Sequence, residues 1–138
     1  MQAHPIFKES VRTKERSQMI DITELLHRAV DDSKVENGFA IVFVPHTTAA
    51  ITINENADPD VKHDLLKKLS DLIPKTESYY RHNEGNSDSH VKTSLVGNSV
   101  TVLIEKGKPV LGTWQGIQFC EFDGPRTRDV FIKLFSTT

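Results

Sequence analysis

Apolar side chains recur along this chain with two kinds of spacing, one typical of helices and one typical of strands. Residues 22–36 carry them three and four positions apart, which predicts one buried face of a helix. Asp21 and Glu24 form a capping-box pattern at its start, and Gly38 favours an end just before it. A second helix is predicted over residues 58–72, where an Asp-Pro pair suits the first turn and a later proline ends the pattern.

The remaining apolar segments are short and predict strands. The run over residues 39–44 is continuous, which is typical of a strand buried on both faces. A tight turn at residues 106–108 indicates a hairpin. Strands are predicted over residues 6–12, 17–21, 39–44, 49–53, 99–105, 109–113, 117–122 and 129–135. Together with the two main helices, they predict one α+β domain over residues 1–138, built on one large mixed or antiparallel sheet with the helices on one side.

Length, charge and cysteine count exclude several classes of protein. A chain of 138 residues suits a single core. The net charge of −2 argues against a nucleic-acid-binding surface, which needs a basic excess. The single cysteine excludes an internal disulfide, and no apolar run is long enough for a membrane helix or a signal peptide. We therefore expect a cytoplasmic protein that binds neither membrane nor nucleic acid.

The first polar cluster is His46-Thr47-Thr48, between two predicted strands. A histidine at a strand end offers a metal ligand or a general acid/base near neutral pH. The neighbouring hydroxyl groups of Thr47 and Thr48 suit phosphate oxygens. The alternative is a capped turn with a surface histidine.

The second cluster spans residues 80–90 and contains His82 and His90. Asp88 or Ser87 predicts the cap of a short helix that carries His90, and such a helix start stabilises anions. We predict that His46, His82 and His90 converge as three imidazole ligands. The alternative is an ordinary solvated loop.

The third cluster includes Trp114, Gln115, Arg126 and Arg128. Trp114 is suited to stacking on a flat ring, and the two arginines are suited to phosphate. The alternative is a hairpin with a core tryptophan and exposed arginines.

Five segments, in order, resemble the signature segments of the YjbQ family, the UPF0047 group: residues 46–50, 54–61, 82–90, 112–116 and 122–126. The resemblance covers essentially the whole chain. It implies a compact α+β fold, a homotrimer, a polar site with a metal ion, and a weak thiamine-phosphate synthase activity.

These patterns give a set of candidate site residues. Catalytic roles are predicted for His46, Glu84, Asp88 and Gln115; substrate or anion binding for Thr47, Thr48, Asn83, Asn86, Ser87, Trp114, Arg126 and Arg128; and metal binding for His46, His82 and His90. The expected cofactor is a divalent ion, zinc or magnesium, although three histidines suit zinc better. Two further functions stay open: a metal-dependent hydrolase or lyase acting on a phosphorylated small molecule, and a non-catalytic, anion-binding trimer.

Overall fold

A computed structural model describes all 138 residues. The α+β class predicted from the sequence is confirmed, and the short helix expected near Asp88 is present as the third helix. Its predicted cap at Asp88 or Ser87 is wrong, because the helix begins after Asn86 and no side chain caps it. The elements in chain order are β1 (Gln2–Ala3), β2 (Phe7–Arg12), β3 (Gln18–Asp21), α1 (Thr23–Ser33), β4 (Gly38–Phe43), β5 (Ala49–Glu55), α2 (Pro59–Leu72), α3 (Ser87–Val96), β6 (Ser99–Glu105), β7 (Lys108–Pro109), β8 (Gln115–Glu121) and β9 (Thr127–Ser136).

The strands form two antiparallel sheets, whereas the sequence predicted a single large one with both main helices on one side. Instead, α1 contributes to the main core, and α2 packs on a separate buried cluster of the smaller sheet, Met19, Ala50, Cys120 and Phe122. The larger sheet has the order β1-β9-β4-β6-β7, with β2 also paired to β9, and the smaller has the order β3-β8-β5. The break at residues 45–48 carries the chain from β4 in one sheet to β5 in the other. Apolar periodicity predicts that a strand exists but not which strand it pairs with, so it could not separate the two sheets.

The main core lies between the sheets and is closed by α1. Ala40 and Val42 of β4 face it from the larger sheet, Ile117 and Phe119 of β8 from the smaller one, and Leu26 from α1; all are fully buried. Each large side chain buried in this way contributes about 1.5–3 kcal/mol. The ends of these strands are therefore a rigid base for the connections between them.

Helix α1 is shorter than predicted. It ends at Ser33, and Lys34 adopts the left-handed conformation with φ of 62°. The chain leaves the helix at this point because Val35 packs into the core. At the start, Asp21 accepts the backbone N–H of Thr23 at 2.8 Å, and the predicted capping box does not form.

Helix α2 confirms its predicted start, while the predicted strand over residues 109–113 is wrong beyond its first residue. Asp58 accepts the N–H of Asp60 at 2.9 Å, and Pro59 occupies the first turn. In contrast, only Lys108–Pro109 pairs with β6. Beyond it, the N–H of Val110 still donates to the Leu103 carbonyl at 2.8 Å, but the N–H of Gly112 bonds to the side chain of Gln115 at 2.8 Å, so the ladder ends there.

The longest helix, α2, has 14 residues and many charged side chains. A bilayer core requires about 20 mainly apolar residues. No helix of this chain meets both the length and the apolar character needed to cross a membrane. The cytoplasmic location stays a prediction.

Candidate functional site

A polar pocket of about 420 Å³ lies where three connections meet: the one between β4 and β5, the segment leading into α3, and the one between β8 and β9. Its volume suits a small molecule. No hydrophobic side chain lines it. The lining residues are Pro45, His46, Thr47, Thr48, His82, Glu84, Asn86, His90, Asp123, Arg126 and Arg128. Nine of these were predicted as site residues from the sequence, and the three histidines are among them.

A buried ion pair between Arg128 and Glu121 supports one side of the pocket. Arg128 is 3% exposed and Glu121 is fully buried. The Nε of Arg128 donates to Glu121 at 2.8 Å, and its Nη2 donates both to Glu121 and to Thr48 Oγ1. Burial alone would raise the pKa of Glu121, but the hydrogen bonds that it accepts, led by those from Arg128, lower it. Both side chains are therefore charged and fixed in place.

Arg128 keeps one donor group unused. Its Nε and Nη2 are engaged, whereas Nη1 forms no hydrogen bond within the chain and is not shut away from solvent. Because Arg128 lines the pocket, its Nη1 is available to an oxygen of a bound ligand. A guanidinium already held by a carboxylate loses little freedom when it binds an anion.

His46 completes the ladder between β4 and β9. Strand β4 ends at Phe43, and beyond it the backbone N–H of Asp129 donates to His46 Nε2 at 2.9 Å. The side chain of Asn98 donates to the His46 carbonyl at 3.0 Å. A neutral imidazole has one N–H and one lone-pair nitrogen. Since Nε2 accepts, the proton of the neutral ring lies on Nδ1.

The charge state of His46 agrees with this arrangement. Burial, followed by the positive charge of Arg128, lowers the pKa of His46. The carboxylates of Asp129 and Glu121 and the backbone contact with Asp129 act in the opposite direction but do not outweigh these two effects. His46 is therefore neutral at neutral pH.

His82 and His90 lie together in the same pocket. Their ring centroids are 5.3 Å apart with an edge-to-face angle of 87°. The Nε2 of His82 lies 3.7 Å from a carboxylate oxygen of Glu84, which is beyond hydrogen-bond distance. Two imidazoles bound to one ion at about 2 Å also have ring centres roughly 5 Å apart, so this spacing is compatible with a shared ion.

Asp123 links two other residues of the pocket. Its Oδ2 accepts from Asn86 Nδ2 at 2.8 Å and from Arg126 Nη2 at 3.1 Å. Arg126 is otherwise largely exposed, with a side-chain exposure of 49%. The carboxylates of Asp123 and Glu84 give the pocket hydrogen-bond acceptors in addition to the donors of its arginines.

Asp88 was predicted to be catalytic, but it does not line the pocket. It is fully buried and forms ion pairs with Arg16 at 2.9 Å and with Lys92 at 3.0 Å. Burial would raise the pKa of Asp88, but the hydrogen bonds from these two cations lower it. A carboxylate that is sealed between two cations has no access to a ligand and holds α3 in place.

Trp114 and Gln115 were also predicted in the site, and they lie at the opposite end of β8 from it. Gln115 pairs with Glu55, whereas Glu121, beside the pocket, pairs with Ala49. The strand between them is about 20 Å long at roughly 3.3 Å per residue. Trp114 is 64% exposed, so it is not the core tryptophan of the alternative interpretation either.

The signature segments at that end of β8 hold each other together. The carbonyl of Trp114 accepts the N–H of Asn56 at 3.0 Å. A Cβ on Gly116 would lie 2.7 Å from that of Asn56, closer than side-chain atoms approach each other. These segments therefore need small residues and tight turns for packing, which explains their composition without a role in the pocket.

Two predicted binding residues lie beside the pocket. Asn83 is exposed and does not line it. Ser87 lines a neighbouring hollow together with His82 and His90.

A divalent ion held by all three histidines does not fit the arrangement within one chain. No group of three or more His, Cys, Asp or Glu side chains is placed to hold a metal ion. His82 and His90 are close together, but the lone pair of His46 accepts the N–H of Asp129. The three-histidine set therefore stays a prediction for an assembled protein.

Sequence reasoning missed Arg16 and Lys92. Lys92 follows Asp88 by four positions on a predicted helix, a spacing that favours ion pairs and was a usable signal. Arg16 is 72 positions from Asp88, and nothing local predicts that contact. Asp123 lies within the signature segment 122–126 without an assigned role, and the structure places it in the pocket.

Acid is expected to destabilise this protein through Glu121 and Asp88. Both folded-state pKa values lie below their ordinary values near 4, so their contribution to stability is present above about pH 4 and is lost as the pH falls below it. Urea midpoints measured between pH 7 and pH 2.5 test this. Glu121→Gln should be less stable at pH 7 and show a weaker acid dependence; a curve parallel to the unsubstituted protein would contradict the assignment.

Trp114→Ala is expected to leave the pocket intact. Its side chain is distant from the pocket within one chain, and exposed substitutions usually change the free energy of unfolding by less than about 0.5 kcal/mol. Calorimetric titration measures the affinity for inorganic phosphate, and urea unfolding measures the stability. A loss of affinity at unchanged stability would mean that Trp114 of a second copy reaches the pocket.

Taken together, these features define a small α+β protein of two antiparallel sheets, with one polar, charged pocket built from three connections. A family model described as UPF0047 protein YjbQ-like matches residues 8–137. The chain belongs to this YjbQ/UPF0047 family, as its signature segments indicated.

Relatives support the assignment over nearly the whole chain. A UPF0047 protein of Methanocaldococcus jannaschii is 56% identical over 94% of this chain and 93% of its own length. The UPF0047 protein YugU of Bacillus subtilis is 50% identical over 90% of this chain and 94% of its own length.

Solved structures agree on the fold. A YjbQ/UPF0047 family protein of Clostridium acetobutylicum, described as uncharacterized, is 56% identical, with a TM-score of 0.92 over 94% of this chain and 99% of that chain. A protein of Sulfolobus solfataricus, described as of unknown function, is 30% identical, with a TM-score of 0.92 over 98% of both chains.

Proposed function

We propose that the pocket binds a phosphorylated small molecule. The observation that carries this proposal is Arg128: its guanidinium is almost fully buried and locked by Glu121, yet its Nη1 is free beside a pocket with no hydrophobic lining. Such a group is suited to an anionic oxygen, and a phosphate offers several. The hydroxyl of Thr47 and the half-exposed Arg126 are further donors around the same space.

The ligand should also carry hydrogen-bond donors. Glu84 and Asp123 place two carboxylates in the same pocket. A bare phosphate would be repelled by them, whereas an amino or hydroxyl group elsewhere on the ligand would be attracted. We therefore favour a phosphorylated metabolite with an amino group over a simple phosphate ester.

Calorimetric titration tests this function with three probes: inorganic phosphate, a phosphomonoester that carries an amino group, and the same ester without it. We expect the ester with the amino group to bind most tightly, inorganic phosphate to bind less tightly, and the ester without the amino group to bind most weakly. Arg126→Met should weaken binding of all three, because it removes a cation from the pocket. Arg28→Met on α1 is the matched control. Arg28 is exposed and lies away from the pocket, and its nearest carboxylate, that of Glu9, is 3.9 Å distant. No binding of any probe would refute the proposal.

Thiamine-phosphate synthase activity is the first reaction to test. In it, a pyrimidine diphosphate loses diphosphate, which leaves with the electron pair of the broken C–O bond, and a new C–N bond forms to a thiazole phosphate. Arg128 and Arg126 would stabilise the leaving diphosphate, and the carboxylates of Glu84 and Asp123 would accept from the pyrimidine amino group. Trp114 and Gln115 would not take part within one chain. Formation of thiamine phosphate from the two substrates, reduced in Glu84→Gln because the charge of the acceptor is lost, would support it.

A phosphate-releasing hydrolase or lyase is the second candidate, and the closeness of His82 and His90 favours it. Phosphate release from a panel of phosphomonoesters, measured with and without added zinc, separates it from the synthase. Binding without turnover of either kind would leave the non-catalytic, anion-binding protein.

We also propose that the chain assembles as a homotrimer. The outer face of the larger sheet is covered by no helix and carries exposed or half-exposed apolar side chains, among them Leu103 at 63% exposure. The others are Phe39, Ile41, Phe43, Phe131 and Phe135. An apolar face of this kind is typical of an interface between subunits. Light scattering at micromolar concentration tests the mass, and a monomer would reject the assembly.

A further inference from the structure

His46 is the residue whose role the structure changes most. The sequence predicts a metal ligand or a general acid/base. A metal ligand and a general base both require a lone pair on the nitrogen that faces the ligand. We propose instead that His46 is a fixed hydrogen-bond donor, which uses its Nδ1–H to bind an anionic oxygen of the ligand. This inference rests on the proposed function and assigns one part of it to a specific atom.

The first argument is the direction of the hydrogen bond at Nε2. The N–H of Asp129 can only donate, so Nε2 must accept and cannot carry the proton. The proton then lies on Nδ1, which forms no hydrogen bond within the chain and is not shut away from solvent. Neither nitrogen has a lone pair to spare for a metal ion or for a substrate proton.

The second argument is that this tautomer is held from two sides. The backbone of His46 is fixed by the bond from Asn98 to its carbonyl, and the ring is fixed by the bond from Asp129 in β9. Rotation of the ring would leave the N–H of Asp129 without its partner in the chain, since β4 has already ended. The orientation is therefore set by the main sheet and not by the ligand.

The third argument is the neighbourhood of Arg128. A ring whose Nε2 accepts an N–H cannot carry both protons, so His46 approaches a ligand as a neutral donor beside the positive charge of Arg128. The free Nη1 of Arg128 and the Nδ1–H of His46 both belong to residues that line the pocket. A charged and a neutral donor in one pocket suit two oxygens of a single phosphate or diphosphate group.

Two substitutions separate the two nitrogen positions. The amide of Asn lies close to the place of Nδ1, and the amide of Gln lies close to the place of Nε2. His46→Asn should therefore keep a donor toward the ligand, and His46→Gln should keep only the contact to Asp129. With inorganic phosphate and pyrophosphate as probes, we expect His46→Gln to weaken binding about tenfold or more and His46→Asn to weaken it only a few-fold. The reverse order would overturn the inference.

Zinc provides an independent comparison. The affinity for zinc, measured without any anion, should be the same in both His46 variants as in the unsubstituted protein, because only His82 and His90 are free to bind it. A loss of zinc binding in both variants would make His46 a metal ligand and overturn the inference. His82→Ala is the comparison variant, because it removes one of the two neighbouring imidazoles.

Nitrogen NMR of the ligand-free protein measures the tautomer directly and needs no variant to fold. We expect the nitrogen at Nδ1 to show the shift of a protonated site and Nε2 that of an unprotonated site at pH 7. Phosphate binding combined with a proton on Nε2 would overturn this inference alone and leave the proposed function standing. Failure of the unsubstituted protein to bind either probe would overturn the proposed function, and with it the ligand assigned to His46.

Discussion

Arg128→Met is expected to lower the free energy of unfolding by about 3–5 kcal/mol, which is what the loss of one partner from a buried ion pair costs. The substitution leaves Glu121 as a fully buried carboxylate without its main counter-charge. Thr13 and nearby backbone N–H groups still donate to Glu121, but they carry no charge to balance it. Urea unfolding at pH 7 measures the loss.

Two comparisons make this result specific. Arg126→Met removes a guanidinium from the same segment, but one that is half exposed, and should cost no more than about 1 kcal/mol. The double variant Arg128→Met with Glu121→Gln should recover part of the stability, because it removes the uncompensated charge as well. If Arg128→Met is as mild as Arg126→Met, the pair does not stabilise the fold as its burial implies.

Asp88→Ala should be destabilising to a similar extent, about 3–5 kcal/mol. It leaves Lys92, whose side chain is only 4% exposed, as a buried ammonium without a counter-charge, and it frees Arg16 from α3. The loss should be accompanied by weaker anion binding, since α3 carries His90 into the pocket. Unfolding and phosphate titration of the same variant measure both effects.

The chain contains a matched control for Asp88. Asp71 and Lys67 on α2 also form an ion pair between positions four apart, at 2.9 Å compared with 3.0 Å for Asp88 and Lys92. Both side chains of the α2 pair are more than half exposed, so Asp71→Ala should cost only about 0.3–0.5 kcal/mol. Equal effects of Asp71→Ala and Asp88→Ala would mean that spacing, and not burial, sets the strength of these pairs.

Residues that support the pocket can be distinguished from residues that contact the ligand. Glu121 and Asp88 are sealed from the pocket and hold its sides, while Arg126, Glu84 and His46 face the ligand space. Variants of the first kind should lose stability first. Variants of the second kind should lose affinity at nearly unchanged stability, and only these test the proposed function.

The sequence by itself determined most of the elements. The Asp58-Pro59 start of α2, the continuous apolar run that became β4 and the short helix near Asp88 were all predicted from neighbours within a few positions, because caps and periodicity are local. It also selected residues that gather in one pocket, including His46, since polar clusters between buried strands have few structural uses.

Only the tertiary structure decided which of those residues face a ligand. Asp88 and Ser87 are adjacent in the sequence, yet one is sealed by Arg16, which lies 72 positions away, and the other is not. Trp114 belongs to the same signature segments but lies at the far end of β8. The proton on His46 depends on a backbone N–H 83 positions along the chain. Spacing encodes contacts within a helix or a turn, whereas the pairing of strands and the burial of charges are set by how distant segments pack together.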